Sequence, residues 1–312
     1  APQNPYNNSG GIGPLDRTHV YTLDRNGGLL AVHDALVRKI VEELKDFDNL
    51  YYEICNEPYF GGVTLEWQAH IAEEIAAAEQ GFSTRHLISQ NIANLSARVE
   101  RPHPAVSILN FHYATPPDAV ALNYDHNRVI GDNETGFRGV QDFPYRREAW
   151  EFMLAGGGLF NHLDYSFSPG HERGTFAYPA TQPGGGNQGF RRQLKFLKDF
   201  LEGFDFVRMK PDAALIRAGV PAHMRARALI QPGRAYAVYL TPALKDPLPA
   251  ALGQSRVVFL QLDLPLGRYL AEWISPISGR IERAEGFEHR GGIRRLKSPK
   301  FAPDIALRIL AK

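Results

Sequence analysis

The sequence predicts an α/β protein with a parallel sheet, followed by an antiparallel β-sandwich. Up to about residue 205, short apolar runs alternate with segments of helical periodicity, which is typical of β–α units around a parallel sheet. After Gly203, β-branched and aromatic runs follow one another between Gly and Pro turns. We therefore expect two domains, residues 1–205 and residues 206–312.

The composition is that of a folded protein. Of the 312 residues, 44% are apolar and 22% are charged, so the chain can bury a sizeable core. No apolar run approaches the length of a bilayer span, and we expect no membrane association. The single cysteine, Cys55, excludes a disulfide framework within the chain. The sequence leaves the compartment open, because a secreted precursor would have lost its leader peptide before this numbering begins, and we slightly favour a secreted or periplasmic location.

The net charge of +1 hides an asymmetry between the two predicted domains. Residues 206–312 carry 18 Lys and Arg against 8 Asp and Glu, whereas residues 1–205 carry 17 against 26. We expect the acidic domain to dock on the basic one. Since no basic stripe with interleaved aromatic residues is present, we expect no nucleic-acid partner.

The predicted first domain contains five strands with helices between or after them. The first helix carries an apolar stripe at three-to-four spacing, formed by Leu29, Val32, Leu36, Ile40 and Leu44. Residues 50–55 form the first strand, which ends at Asn56-Glu57-Pro58 because proline cannot continue a ladder. Thr64 is placed to cap the second helix. Further strands are predicted at residues 87–90, 105–111, 128–131 and 159–165, and further helices at residues 146–154 and 190–201.

The predicted second domain contains short strands at residues 227–230, 235–241, 256–262 and 269–274. Within the predicted first domain, residues 170–189 form a long loop rich in Gly, Pro, Ser and Thr. A loop of this length either lines a site or is mobile.

Polar side chains follow the predicted parallel strands where each strand ends, which is where α/β folds place their sites. Glu57 and Glu134 each follow an apolar strand and precede a helix or strand breaker. Hydrolysis of a glycosidic bond needs such a pair, one carboxylic acid to protonate the leaving oxygen and one carboxylate to attack carbon or activate water. Amides and aromatic rings suit sugar hydroxyls and sugar faces. The candidates for sugar contact are Asn56, Asn91, Tyr59 and Tyr145.

Three motifs resemble the retaining glycoside hydrolases of clan A, the cellulase-like, family 5-like (β/α)8 TIM barrels. The motifs are Asn56-Glu57-Pro58, His112-Tyr113 and Glu134-Thr135-Gly136. The resemblance implies that Glu57 is the acid/base and that Glu134 is the nucleophile. It also implies that the Tyr113 hydroxyl holds the nucleophile and that His112 contacts the sugar. It implies a carbohydrate substrate, no cofactor and no metal.

Other segments extend the resemblance to an uncharacterised cellulase-like family whose members end in a collagen-binding-type β domain. Residues 48–53, 87–94 and 163–167 are similar to its barrel, and residues 273–279 to its tail domain. By this resemblance the chain holds strands four to eight only, and the family's second-strand arginine has no counterpart. The open half of the barrel has three explanations: the chain is a fragment, the N-terminal segment shields the opening, or a second copy completes it as a homo-oligomer.

Several alternatives remain open at the level of sequence. Glu134 could instead begin a helix, and Asp132 could be the acid in its place. His112 and Tyr113 could be core residues, and Asn91 and Asn94 could cap a loop. A metal site that combines His162 and Asp164 with His112, Asp125 and His126 is disfavoured, because no His-x-His or His-Glu-x-x-His spacing occurs. The alternative functions are a non-catalytic carbohydrate-binding relic and a structural module.

Overall fold

A computed structural model describes residues 15, 17–179, 181, 184–243 and 252–312 of the chain. The described residues divide into two compact units. The first unit comprises those of Ala1–His112 together with Leu122–Gly131, and the second comprises those of Tyr113–Ala121 and Asp132–Lys312. Residue 205, the predicted domain boundary, lies inside the second unit. The division into domains at that residue stays a prediction.

The helices are α1 (Arg17–Val20), α2 (Leu29–Leu44), α3 (Leu65–Ala78), α4 (Asp118–Asn123), α5 (Asp142–Leu154) and α6 (Gln188–Glu202). The first five strands are β1 (Tyr52–Glu53), β2 (Ile88–Asn94), β3 (Ile108–His112), β4 (Val129–Glu134) and β5 (Leu159–Phe160). The remaining strands are β6 (Lys210–Pro211), β7 (Ile216–Ala218), β8 (Met224–Gln231), β9 (Ala235–Pro242), β10 (Phe259–Ile274), β11 (Ile281–Lys297) and β12 (Ile305–Ala311).

In the first unit, β1, β2 and β3 pair in parallel and in chain order, and β4 begins beside β3. In the second unit, β4 ends and β5 follows it in the strand order. All five strands lie within or next to the segments predicted from sequence. The predicted N-cap of α3 is also present: the Thr64 hydroxyl accepts a hydrogen bond from the Trp67 amide at 3.1 Å. The parallel α/β prediction is therefore confirmed, with the ends of the strands as the expected place for a site.

A polar layer lies in the sheet of the first unit. Asn110 and Ser89 are both fully buried and come from neighbouring strands. Asn110 Nδ2 donates to Glu53 Oε2 at 2.7 Å, and the Ser89 hydroxyl donates to the same oxygen at 3.0 Å. Because buried polar groups need partners, this layer specifies how the three strands align.

The apolar stripe of α2 differs from the sequence prediction. Leu29 is buried as expected, but Val32, Leu36 and Ile40 are each more than two-fifths exposed. A different apolar position, Val41, is buried, and His33 and Asp34 of α2 contact Trp67 and His70 of α3. The periodicity predicted the helix correctly but not which of its apolar residues are buried.

In the second unit, helices α5 and α6 share one apolar core with β8, β9 and β12. Trp150 of α5 is fully buried and stacks on Tyr239 of β9, with ring centroids 5.2 Å apart. Next to this core, Arg146 forms a two-pronged ion pair with Asp304, with both N–O distances at 3.0 Å. The Tyr239 hydroxyl donates to the same carboxylate at 2.7 Å.

This packing corrects the expectation of docking driven by opposite net charge. The shared surface is mostly apolar, and its fully buried ion pair takes the cation from the acidic half of the sequence and the anion from the basic half. A second pair, Arg225 with Glu151 at 2.6 Å, has the expected polarity. Apolar burial with specific buried pairs therefore holds these elements together.

The C-terminal strands are antiparallel, as predicted, but they form one hydrogen-bonded sheet rather than the two separate sheets of a sandwich. Its order is β11-β10-β12-β9-β8-β6, and β7 pairs with β10. The sixteen-residue strand β10 accounts for the difference, because its first half pairs with β7 and its second half with β12. Within the described ranges, no helix is long and apolar enough to cross a membrane.

Candidate active site

The ends of the first four strands carry a pattern of unusual backbone conformation. Within four residues of each strand end, one non-glycine residue adopts a left-handed φ: Glu57 (46°), Leu95 (66°), Tyr113 (55°) and Phe137 (61°). This conformation costs a side-chain-bearing residue about 1–2 kcal/mol. Such strain clusters at functional sites, so the pattern independently marks the region that the sequence motifs indicated.

Glu57 lies in a small polar cluster of the first unit. His112 Nδ1 lies 3.2 Å from Glu57 Oε1, and the His112 side chain is 1% exposed against 25% for Glu57. The carboxyl is therefore accessible while its histidine partner is buried. The Tyr59 hydroxyl lies 3.4 Å from the same oxygen but donates over a shorter distance, 2.5 Å, to Asn94 Oδ1.

Asn91 fixes the turn that carries Glu57. Its Oδ1 accepts a hydrogen bond from the Glu57 backbone amide at 2.9 Å. Asn91 is 1% exposed, and its Nδ2 has no hydrogen-bond partner among the residues that the structure describes. The neighbouring Asn56 is exposed. The structure therefore brings Asn91, Tyr59 and His112 to Glu57, and their predicted role as sugar contacts stays a prediction.

Glu134 lies in the second unit at the end of β4. The Tyr113 hydroxyl donates a hydrogen bond to Glu134 Oε1, and the Tyr113 amide donates to the Glu134 carbonyl at 2.8 Å. The Glu134 side chain is half-buried. This tyrosine–glutamate contact is the one that the motif resemblance implied.

Asp132 does not fit the alternative role of catalytic acid. Its side chain is 1% exposed, and burial raises the pKa of its carboxyl well above the usual range. A group at this depth is not reachable by a sugar. The same strand places the more accessible Glu134 two residues further on.

Tyr145 is not available for stacking on a sugar, which corrects the sequence prediction. Helix α5 begins at Asp142, four residues earlier than predicted, and Tyr145 is fully buried inside it. Its hydroxyl donates to the Gly139 carbonyl at 2.6 Å, and its ring lies 4.3 Å from that of His162. Burial raises its pKa to about 12. Through its hydrogen bond to Gly139, Tyr145 holds the loop that follows Glu134.

The sequence prediction missed two apolar residues of the strand-end pattern, Leu95 and Phe137, which are 55% and 57% exposed. No sequence signal could have marked their left-handed backbone, because neither is a Gly, Asn or Asp. Phe60, next to Tyr59, is 59% exposed and is a further aromatic surface in the first unit.

Asp125 and His126, named in the metal alternative, have other partners. Arg98 pairs with Asp125 and lowers its pKa to about 2, and His126 Nε2 lies 2.6 Å from the Val99 carbonyl. A different group in the first unit, Asp34, His70 and Glu74, has ligand atoms within 4.8 Å of one another. Arg38 forms an ion pair with Glu74 at 2.6 Å, so the carboxylate of Glu74 already has a positively charged partner.

Comparison with known proteins bears on the fold. No protein-family model matches the sequence, and no curated protein matches it significantly. Two solved structures are similar over most of the chain. One is described as a glycoside hydrolase and has a TM-score of 0.62 at 16% identity; the aligned part is 91% of this chain and 69% of that structure. The other is a family 5 glycoside hydrolase from Bacteroides vulgatus and has a TM-score of 0.60 at 15% identity; the aligned part is 90% of this chain and 67% of that structure.

These likenesses define the class of fold: over most of its length the chain has the fold of these two glycoside hydrolase structures. They do so over about two thirds of the length of each matched structure. At this identity the similarity establishes the fold, whereas the chemistry has to be argued from the residues.

Proposed function

We propose that this protein is a retaining β-glycoside hydrolase, with Glu57 as the general acid/base and Glu134 as the nucleophile. The observation that carries the proposal is the adjacency of His112 and Tyr113 at the end of β3. His112 contacts Glu57, and Tyr113, the next residue in the chain, holds Glu134. Two consecutive residues thus supply one side-chain partner to each carboxylate of the required pair.

The reaction would proceed by double displacement. Protonated Glu57 donates its proton to the glycosidic oxygen while Glu134 attacks the anomeric carbon, so the bond to the leaving group breaks and a glycosyl ester forms on Glu134. Glu57, now a carboxylate, then takes a proton from water, whose oxygen attacks the same carbon and releases Glu134. Two inversions give net retention, and no redox partner is needed.

The surrounding residues would position these groups. Asn91 holds the Glu57 turn from a buried position. Asn56 is exposed next to Glu57, and its side-chain amide suits a sugar hydroxyl. Tyr59 and His112 orient the Glu57 carboxyl from the protein side. Tyr113 orients Glu134 in the same way.

The test is hydrolysis of a panel of aryl β-glycosides by the wild type, Glu57→Ala and Glu134→Ala. We expect wild-type activity that falls by several orders of magnitude in each variant. Glu282→Ala, an exposed glutamate of β11, is the matched control and should keep wild-type activity. A folded wild type that hydrolyses no glycoside of the panel would contradict the proposal.

The second candidate is a carbohydrate-binding relic that does not turn over substrate. Its motivation is that the chain spans only about two thirds of the length of each of the two matched structures. Calorimetric titration with unsubstituted oligosaccharides separates the two functions. Binding without hydrolysis would support the relic.

A further inference from the structure

We propose that Phe137 is a substrate-positioning residue that provides an apolar platform for a pyranose ring beside Glu134. The inference rests on the proposed function and adds a substrate class to it. The ring of Phe137 is 57% exposed although phenylalanine is among the residues most often buried. It follows the candidate nucleophile by three residues and holds a left-handed φ of 61°.

The backbone on both sides of Phe137 is anchored. On the N-terminal side, the Thr135 hydroxyl lies 2.9 Å from His162 Nδ1, and the Leu163 amide donates to the Thr135 carbonyl at 3.0 Å. On the C-terminal side, the Arg138 amide donates to the buried Tyr145 hydroxyl at 2.9 Å. The strained residue between these anchors is the one whose side chain faces solvent.

Gly136 packs against the neighbouring segment. It is buried, and a Cβ added there would lie 3.4 Å from Leu163 Cδ1, an ordinary van der Waals distance. The left-handed conformation of Phe137 thus lies in a turn whose neighbouring residues are anchored, and strain that persists in such a turn is characteristic of functional sites.

The ring of Phe137 also contacts the residue that holds Glu134. Its centroid lies 5.9 Å from that of Tyr113, at an interplanar angle of 66°. The edge of the platform is thereby fixed relative to the tyrosine whose hydroxyl binds Glu134 Oε1. An apolar surface held next to the nucleophile is suited to orient the sugar that the nucleophile attacks.

The chemistry of phenylalanine limits what this platform can recognise. Phenylalanine has no hydrogen-bonding group, so it selects only by contact with C–H groups. In a β-pyranoside chair the axial C–H bonds at C1, C3 and C5 form one continuous C–H face, and the axial hydroxyl of a mannoside or a galactoside projects from the opposite face. The platform therefore recognises this C–H face in β-glucosides, β-xylosides, β-mannosides and β-galactosides alike.

The experiment compares steady-state kinetics of Phe137→Ala, Phe137→Tyr and the wild type on these four aryl glycosides. Alanine also carries a Cβ, so the backbone strain at this φ is similar in Phe137→Ala and in the wild type. We expect Phe137→Ala to raise KM about tenfold, with kcat nearly unchanged, for each of the four glycosides that the wild type hydrolyses, and Phe137→Tyr to restore the wild-type KM. Phe47→Ala, which removes a ring that is 54% exposed near the end of α2, is the control and should behave as wild type.

Two kinetic results would overturn the inference. An unchanged KM in Phe137→Ala, with an active wild type, would refute the platform and leave the proposed hydrolase intact. A lower kcat at constant KM would mean that Phe137 acts only through Tyr113.

Calorimetric binding of unsubstituted cello- and xylo-oligosaccharides keeps the inference testable without catalysis. Binding that Phe137→Ala weakens about tenfold, in a wild type that hydrolyses nothing, would sustain the platform while the hydrolase proposal fails. A folded wild type that binds none of these oligosaccharides would overturn the platform.

Discussion

Tyr113 binds Glu134 through both its backbone and its side chain. The Tyr113 hydroxyl donates to the Glu134 carboxylate, while the Tyr113 amide donates to the Glu134 carbonyl at 2.8 Å. The left-handed φ of Tyr113, 55°, accompanies this arrangement. The two contacts fix the position of the carboxylate that the proposed mechanism uses as its nucleophile.

Tyr113→Phe should lower kcat by about tenfold to a hundredfold. The substitution removes one hydrogen bond to a charged acceptor, which is worth about 1.5–3 kcal/mol. Steady-state kinetics on the best aryl glycoside measure the effect. Tyr124→Phe, in the exposed turn after α4, is the control. Equal kcat values for Tyr113→Phe and the wild type would remove Tyr113 from the mechanism.

Asp304→Ala should destabilise the second unit strongly. Asp304 is buried and accepts hydrogen bonds from Arg146 and Tyr239, so its loss leaves an uncompensated buried guanidinium. We expect a loss of about 3–5 kcal/mol in the free energy of unfolding, measured with denaturant. Asp199→Ala removes the exposed partner of Lys195 and should change it by less than about 1 kcal/mol. Similar losses in the two variants would contradict the interpretation.

His162 should make stability depend on pH. Burial lowers its pKa to about 4, whereas an unfolded histidine titrates near 6.5. Between these values the unfolded chain binds a proton that the folded chain does not, so stability rises as pH rises from about 4 to about 6.5. The contribution is roughly 2–3 kcal/mol over this window.

His162→Gln should reduce that slope, measured by denaturant unfolding at several pH values between 4 and 7. His171→Gln, which changes a histidine in the loop after β5, is the control and should keep the wild-type slope. If the two variants show the same slope, His162 is not the titrating group.

Asp132→Asn should stabilise the protein at neutral pH. Because burial raises the pKa of the folded-state carboxyl, the unfolded chain loses this proton at lower pH, and stability falls as pH rises above about 4. The amide has no such titration. Denaturant unfolding of Asp132→Asn should show a gain in stability over the wild type that is larger at pH 8 than at pH 5. The exposed Asp205→Asn is the control and should show no such difference. A gain that is equal at both pH values would contradict the assignment.

The sequence predicted the features that depend on local chemistry. The cap at Thr64 and the parallel strands follow from residue type and spacing. Tyr113 could be named as the partner of Glu134 from the motif resemblance, whereas the partners of Glu57 were not predicted.

The features that sequence could not predict depend on tertiary contact. Tyr145 lies near a helix start and was expected to be exposed, but the rings of His162 and Phe190 cover it. Arg146 and Asp304 are 158 positions apart, and nothing local pairs them. The left-handed turn at Phe137 is imposed by its anchored neighbours rather than by its own side chain.

The most direct test of the central claim is azide rescue of Glu134→Ala. Azide can enter the space left by the nucleophile and attack the anomeric carbon once, while Glu57 still protonates the leaving group. We predict that azide restores cleavage of an aryl β-glycoside and that the product is the α-glycosyl azide. Absence of rescue in a folded variant of an active enzyme, or a β-glycosyl azide product, would contradict the assignment of Glu134 as nucleophile.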